Sequence, residues 1–202
     1  MKKTIIILAT VLFASFSSSI IAAGDPEAGQ TKSATCMGCH GLAGNSTIAT
    51  FPKLAGQGEA YLLKQLQNFK SGERNNAIMA GVASLLSEQD MMDIAAYYSI
   101  QTISENSAKG DAETIELGRK IYVGGKMDTQ TTACIACHGQ GGRSNDEDYP
   151  SLAGKDVEWI VQQLENFQSG ERQNEYMNAM APMAEGFERS IAEYLSIQNP
   201  KN

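Results

Sequence analysis

The chain reads as an all-α protein made of two tandem copies of one small helical unit. Three observations predict this: a self-match at a fixed offset, apolar residues at helical spacing in both copies, and no segment with the alternating pattern of a strand. Sliding the sequence on itself by 98 positions lays Phe51-Pro52-Lys53-Leu54-Ala55-Gly56 on Tyr149-Pro150-Ser151-Leu152-Ala153-Gly154. The same shift lays Gln65-Leu66-Gln67-Asn68-Phe69-Lys70-Ser71-Gly72-Glu73-Arg74 on Gln163-Leu164-Glu165-Asn166-Phe167-Gln168-Ser169-Gly170-Glu171-Arg172, and from 36 to 74, 18 of 39 positions are identical without a gap. A solenoid needs about three or more repeats, so two copies indicate a duplicated domain.

In the first copy, Pro26 opens a short helix over 26–34, at a position where proline is tolerated. Tyr61, Leu62, Leu66 and Phe69 form the apolar stripe of a second helix. Ser87 is a good N-cap for a third helix through Tyr98, with Glu88 and Asp90 suiting its positive end. Between these two helices, Met79-Ala-Gly-Val-Ala-Ser-Leu-Leu86 runs from a middle loop towards the last helix. The second copy repeats the plan over 115–123, 157–167 and 188–197. The polar stretch 101–111 is the expected join, with the boundary near Ser107 and units spanning 24–107 and 108–202. Three modest helices in about 85 residues make a thin core, so each unit needs a further staple.

Charge and the first segment narrow the setting. Lys and Arg number 16 against 23 Asp and Glu, for a net charge of −7. Met1-Lys2-Lys3, an apolar run to Phe16 and small residues up to Ala23 have the layout of an export signal, 1–23, cleaved near Ala23. The unbroken apolar run is shorter than the ~20 residues of a spanning helix. Without the leader the chain carries 14 basic and 23 acidic residues, −9 in all, of which −3 falls in 24–107 and −6 in 108–202. Such an acidic chain excludes nucleic acid as a partner and points to an exported, periplasmic protein.

All four Cys and both His fall in two motifs, Cys36-Met37-Gly38-Cys39-His40 and Cys134-Ile135-Ala136-Cys137-His138. Cys-x-x-Cys-His is the attachment signature of a c-type haem, in which both thiols add to the porphyrin vinyls and the histidine becomes an iron ligand. Two thiols three residues apart on a helical turn face one side. The alternatives fit less well. A thioredoxin-like pair belongs after a strand in a βαβ pattern, which is missing here. A zinc site wants four N or S ligands where each motif supplies three. A disulfide closing so short a loop adds little stability. Two motifs in a duplicated unit behind an export signal therefore predict two covalently attached haem c groups. An iron held by histidine has a sixth position for Met, water, or a weaker donor such as Tyr or Lys, and no further His or Cys exists.

Phe51-Pro52-Lys53-Leu54-Ala55-Gly56-Gln57-Gly58 after the first motif, the helix Tyr61-Leu62-Leu63-Lys64-Gln65-Leu66, and two such units in tandem resemble the dihaem cytochrome c₄ family, two class I cytochrome c domains, over essentially all of 24–198. The resemblance implies that the carbonyls of Pro52 and Pro150, each 12 residues beyond its histidine, accept the imidazole N–H and fix the ring. It implies packing of Gly29 with Tyr97 and of Gly118 with Tyr194. It also implies Met79 as the sixth ligand of the first iron, since the family's Met lies seven residues before a Leu that precedes the last helix. Met91 and Met92, on that helix, are expected in the core. In the second copy the shift of 98 lands on Met177, whereas the better local match to 79–86 starts at Met180 and places Phe187 where Leu86 stands. That match takes a three-residue insertion before Met180 and a four-residue deletion after Phe187. Met180 is preferred, with Met177 and Met183 as alternatives.

The expected ligand set is thus Cys36, Cys39, His40 and Met79 for one haem and Cys134, Cys137, His138 and Met180 for the other. With all six positions filled, neither iron has room for a substrate, which makes the chain an electron carrier and not an enzyme. The resemblance implies a periplasmic shuttle, loosely associated with the membrane, that takes electrons from a quinol-oxidising complex or dehydrogenase and passes them to a haem-copper terminal oxidase. The rival readings are a fixed dihaem subunit of a dehydrogenase and a dihaem peroxidase or thiosulfate-oxidising enzyme.

Overall fold

The computed structural model describes residues 23–106, 109–125 and 132–199. The expected leader, apart from Ala23, and the expected boundary at Ser107 lie outside the described residues. Among the described residues every regular element is an α-helix or a 3₁₀ turn, so the fold is all-α. The helices are α1 Pro26–Lys32, α2 Met37–His40, α3 Glu59–Ser71, α4 Ala77–Ser84, α5 Glu88–Ser99, α6 Ala112–Gly124, α7 Ile135–His138, α8 Val157–Ser169, α9 Glu175–Met180 and α10 Glu188–Ser196.

Each half is organised by one close helix crossing. Asp25 caps α1 by accepting from the amides of Glu27 and Ala28, and Ser87 and Asp90 form a reciprocal capping box at the start of α5. The two helices approach so closely at Gly29 that a Cβ there would lie 1.9 Å from the carbonyl oxygen of Asp93 and 2.8 Å from Tyr97 Cβ. In the second half α6 crosses α10 at Gly118, where a Cβ would lie 1.8 Å from the carbonyl oxygen of Ser190. Tyr194 follows Ser190 by four residues as Tyr97 follows Asp93, with its ring against Tyr122 at 5.5 Å between centroids. The longer helices close the cores. Leu62 of α3 packs with Ile94, Ala95, Tyr97 and Tyr98, and Val157 and Ile160 of α8 with Ile121, Tyr122, Ile191, Ala192 and Leu195. Met91 is buried and Met92 is half-buried.

The segments carrying the candidate methionines are helical where the sequence suggests a loop. Asn76 caps α4 by accepting from Met79 N, and Asn174 caps α9 by accepting from Tyr176 N and Met177 N. An asparagine cap stabilises such a start by about 1 kcal/mol. Helices of 8 and 6 residues are too short to display an apolar stripe, which is why periodicity misses them. At the start of α10 the Ser-Glu-Gln-Asp cap has no counterpart: Phe187 stands at the N-cap without a side-chain bond.

The halves meet through equivalent positions of the repeat. Gln57 Nε2 donates to the carbonyl of Ser151 at 2.9 Å and its Oε1 accepts from Ser151 N at 2.8 Å. The residue 98 positions on from Gln57 is Lys155, whose Nζ donates at 2.6 Å to the carbonyl of Lys53, itself the equivalent of Ser151. Asn106 Nδ2 donates to the Gly154 carbonyl at 2.8 Å while its Oδ1 accepts from Lys53 Nζ, and Lys64 pairs with Asp148. The same patch of each repeat thus faces itself, the arrangement of an isologous dimer.

Two measurements check this account. Gly29→Ala drives a methyl into the α5 backbone and is expected to cost about 1–3 kcal/mol in chemical denaturation. Lys155 is 2% exposed, and burial, reinforced by the Lys53 charge, pushes its pKa down to about 7. In the unfolded chain it holds its proton up to about pH 10.4. Between those values the unfolded state binds the extra proton, so stability rises with pH from about 7 towards 10, by up to about 1.4 kcal/mol per unit. Urea melts from pH 7 to 9 read this slope, and Lys155→Met flattens it.

Candidate cofactor sites

Each Cys-x-x-Cys-His motif folds into a single helical turn with its first cysteine at the N-cap. The Cys36 carbonyl accepts from Cys39 N at 3.2 Å and His40 N at 2.9 Å, and the Cys134 carbonyl from Cys137 N at 3.2 Å and His138 N at 3.0 Å. The turn ends on Gly41 and Gly139, with φ of 76° and 74°; a Cβ at these positions would lie 2.2 Å from the Asn45 carbonyl oxygen and 2.1 Å from that of Arg143. Only glycine satisfies both the left-handed backbone and the close approach. The cysteines form no disulfide. Burial pushes the Cys134 thiol up to about 11 and raises that of Cys36, which disfavours the thiolate that a dithiol redox pair works through.

Both imidazoles are 7% exposed. His40 Nδ1 lies 2.9 Å from the Pro52 carbonyl oxygen and His138 Nδ1 3.0 Å from that of Pro150. A carbonyl only accepts, so each Nδ1 carries the proton and each Nε2 keeps its lone pair, the tautomer a metal requires. Burial lowers both histidine pKa values, with the proline carbonyls working in the opposite direction, and the Lys155 charge lowers His40 further. The rings stay neutral. An aromatic edge steadies each: Phe51 lies 6.3 Å from His40 and Tyr149 6.4 Å from His138.

A cavity of about 410 Å³ opens beside the second motif. Cys134, Cys137 and His138 line it together with Trp159, Ile160, Leu164, Phe167, Ile191 and Leu195. Of the three candidate methionines, Met177 and Met180 line this cavity and Met183 does not. In the first half Met79 is half-buried on the first turn of α4, its N–H donating to Asn76 Oδ1 at 2.9 Å. The two registers meet between these landmarks. Counted forward from the asparagine caps, Met79 corresponds to Met177. Counted back from the turns Leu86 N to Ala83 O and Phe187 N to Ala184 O, it corresponds to Met180, so the three extra residues lie between Met177 and Ala184.

Sequence reasoning also missed first-half residues in the second cavity. Tyr61, Lys64, Gln65, Asn68 and Arg74 all line it. The repeated Gln65 and Arg74 of the shift-98 match were the available signal.

The donor chemistry fits a haem: two thiols and a neutral imidazole on one turn, an apolar chamber of small-ligand size and thioethers on its wall. A duplicated helical unit with two thiols and a neutral imidazole on one turn in each copy defines a c-type cytochrome with two covalently attached haem c groups. The cytochrome c family matches residues 26–101. Cytochrome c4 of Stutzerimonas stutzeri is 45% identical over 164 residues, covering 76% of this chain and 77% of that one. The crystal structure of reduced recombinant cytochrome c4 from Pseudomonas stutzeri superposes with a TM-score of 0.80 at 38% identity, over 88% of this chain and all of the other. A thiosulfate dehydrogenase electron acceptor from Thiomonas intermedia (strain K12) is 32% identical over 183 residues, 88% of this chain and 82% of its own. The chain belongs to the cytochrome c4 family of dihaem electron-transfer proteins.

Intact mass and a pyridine haemochrome spectrum of protein from cells competent in cytochrome maturation are expected to count two haems per chain. The double substitution Cys134→Ser and Cys137→Ser leaves one.

Proposed function

We propose that the chain is a periplasmic electron shuttle, exported by the segment 1–23 and built of units 24–107 and 108–202. It takes electrons from a quinol-oxidising complex or a dehydrogenase and delivers them to a haem-copper terminal oxidase. The observation that carries this reading is the shared wall of the second cavity, where Met177 and Met180 stand with His138. Cys36, Cys39, His40 and Met79 hold one haem; Cys134, Cys137, His138 and Met180 hold the other. When bound, the group supplies one-electron chemistry at its iron. The protein's part is to hold neutral imidazoles by their proline carbonyls, to close the sixth position with sulfur and to exclude water from the chamber. Met/His ligation raises the reduction potential, which suits a carrier between a quinol-level donor and an oxidase.

Met180 is assigned because the turn that precedes the last helix is shared by both halves and lies seven residues beyond it, as Leu86 lies beyond Met79. Met177 then packs against the haem. A second reading, a partner fixed to a dehydrogenase, draws on the relative named as a thiosulfate dehydrogenase electron acceptor. Co-purification with a larger dehydrogenase would favour it, and a free monomer exchanging electrons at diffusional rates the shuttle.

Met180→Ala is expected to remove the sulfur-to-iron band at the red end of the oxidised spectrum for one haem and to lower one potential, while Met177→Ala and Met183→Ala keep both. If Met180→Ala leaves band and potentials intact, Met177 is the ligand. Neither iron of the native protein is expected to bind cyanide or peroxide rapidly in stopped-flow mixing; fast high-spin formation with peroxide turnover would make the protein a peroxidase.

A further inference from the structure

Across the seam each half lays one buried side chain on the loop that anchors the other half's histidine, and the two side chains differ in charge. On one side Gln57 grips Ser151: its Nε2 donates to the Ser151 carbonyl at 2.9 Å and its Oε1 accepts from the Ser151 amide at 2.8 Å. That amide belongs to the same peptide group as the Pro150 carbonyl, which holds His138 Nδ1. On the other side the equivalent residue is Lys155, whose Nζ donates at 2.6 Å to the carbonyl of Lys53, directly after the Pro52 that holds His40 Nδ1. The same place in the repeat is thus filled by a neutral amide facing the second-half histidine loop and by a cation facing the first-half one.

The Lys155 ammonium is poorly compensated. Asp156, the next residue, has its Oδ1 4.0 Å from Lys53 Nζ, and among the described residues no carboxylate comes within 4.0 Å of Lys155 Nζ. Lys53 keeps its own Nζ on the Ser104 carbonyl and on Asn106 Oδ1. The Lys155 charge also reaches the imidazole. Burial lowers the His40 pKa most, the Pro52 carbonyl works against it and Lys155 lowers it further, whereas among the described residues only burial and the Pro150 carbonyl shift that of His138. Reduction of a histidine-held iron adds one electron to the site, and a cation fixed nearby in a medium of low dielectric favours that state. We propose that Lys155 is a positioning residue supplied by the second half to the first-half haem, its ammonium clamping the loop behind His40 and raising the reduction potential of the iron bound there. Gln57 makes the reciprocal clamp without the charge. By accepting a hydrogen bond from the Ser151 amide it enriches the Pro150 carbonyl, which draws harder on the His138 N–H and makes that imidazole the more basic ligand. Both differences lift the first-half potential relative to the second. The inference rests on the dihaem reading but not on the choice of electron donor or acceptor.

The test uses the mature dihaem protein with its Lys155→Gln and Lys155→Met variants, each first shown by intact mass to carry two haems. Spectroelectrochemical titration reads both midpoints, and haem-methyl NMR shifts assign them to the two halves. Burial, reinforced by the Lys53 charge and opposed by Asp156, brings the Lys155 pKa down to about 7, so the comparison is made at about pH 6, where the group is charged. There Lys155→Gln is expected to lower the first-half midpoint, changing that haem's reduction equilibrium roughly tenfold, or about 59 mV for one electron, and to move the second-half midpoint less. In the wild type the first-half midpoint should fall between about pH 6 and about pH 8.5 as Lys155 loses its proton, and both variants should lose that part of the fall. Gln keeps a donor for the Lys53 carbonyl and Met does not, so similar shifts in the two variants mark the charge as the cause. If neither variant moves the first-half midpoint at about pH 6, the proposal is overturned. A shift in Lys155→Met alone would leave only the hydrogen bond as its cause, and equal shifts of both midpoints only a loosened seam; either sinks the tuning of one haem by this charge. A wild-type chain carrying fewer than two haems would overturn the dihaem reading, and this proposal with it, before any potential is read.

Discussion

Much of this structure answers to one hydrogen bond made twice, from a histidine Nδ1 to a proline carbonyl twelve residues further on. It settles which imidazole nitrogen carries the proton and leaves the other free to bind iron. It also closes a loop, and that loop needs its own local solutions. The chain reverses at a left-handed glycine directly after each histidine, because a side chain there would collide with the backbone four residues on. The aromatic residue immediately before each proline then lies edge-on to the imidazole. Attachment, tautomer and ring orientation are thus fixed within one short stretch, while the longer helices supply the apolar enclosure.

The all-α class, the duplication and the two attachment motifs were legible because they depend on identities at fixed spacing. The first and last helices of the first half were legible because Pro26 and Ser87 mark their starts, and Ser87 caps as expected. The helices of the methionine segments were not, since Asn76 and Asn174 act through single side chains and the helices that follow are too short to show a period. The seam was invisible for a different reason. Gln57 and Lys155 look like ordinary polar surface until the two copies are brought face to face.

That seam turns weak surface groups into interior ones. Lys155 is buried with its Nζ on a backbone carbonyl of the other repeat. Gln57 uses both ends of its amide on a single residue across the joint. Neither contact is strong by itself, because a net hydrogen bond stabilises by about 1 kcal/mol. Their value is geometric: each leaves a buried polar group unsatisfied if the halves slip, so the relative placement of the two cofactor chambers is held against sliding.

A joint in which position 57 answers to 151 and position 155 to 53 looks the same when approached from either half. Such symmetry gives an electron crossing it no preferred direction by shape alone. Any one-way flow has to come from what the duplication has since made unequal: glutamine against lysine at 57 and 155, lysine against serine at 53 and 151, phenylalanine against tyrosine beside the histidines, and three added residues in one methionine segment. The gene doubling provided a bridge, and it is divergence of such side chains that can set its two ends at different electrical heights.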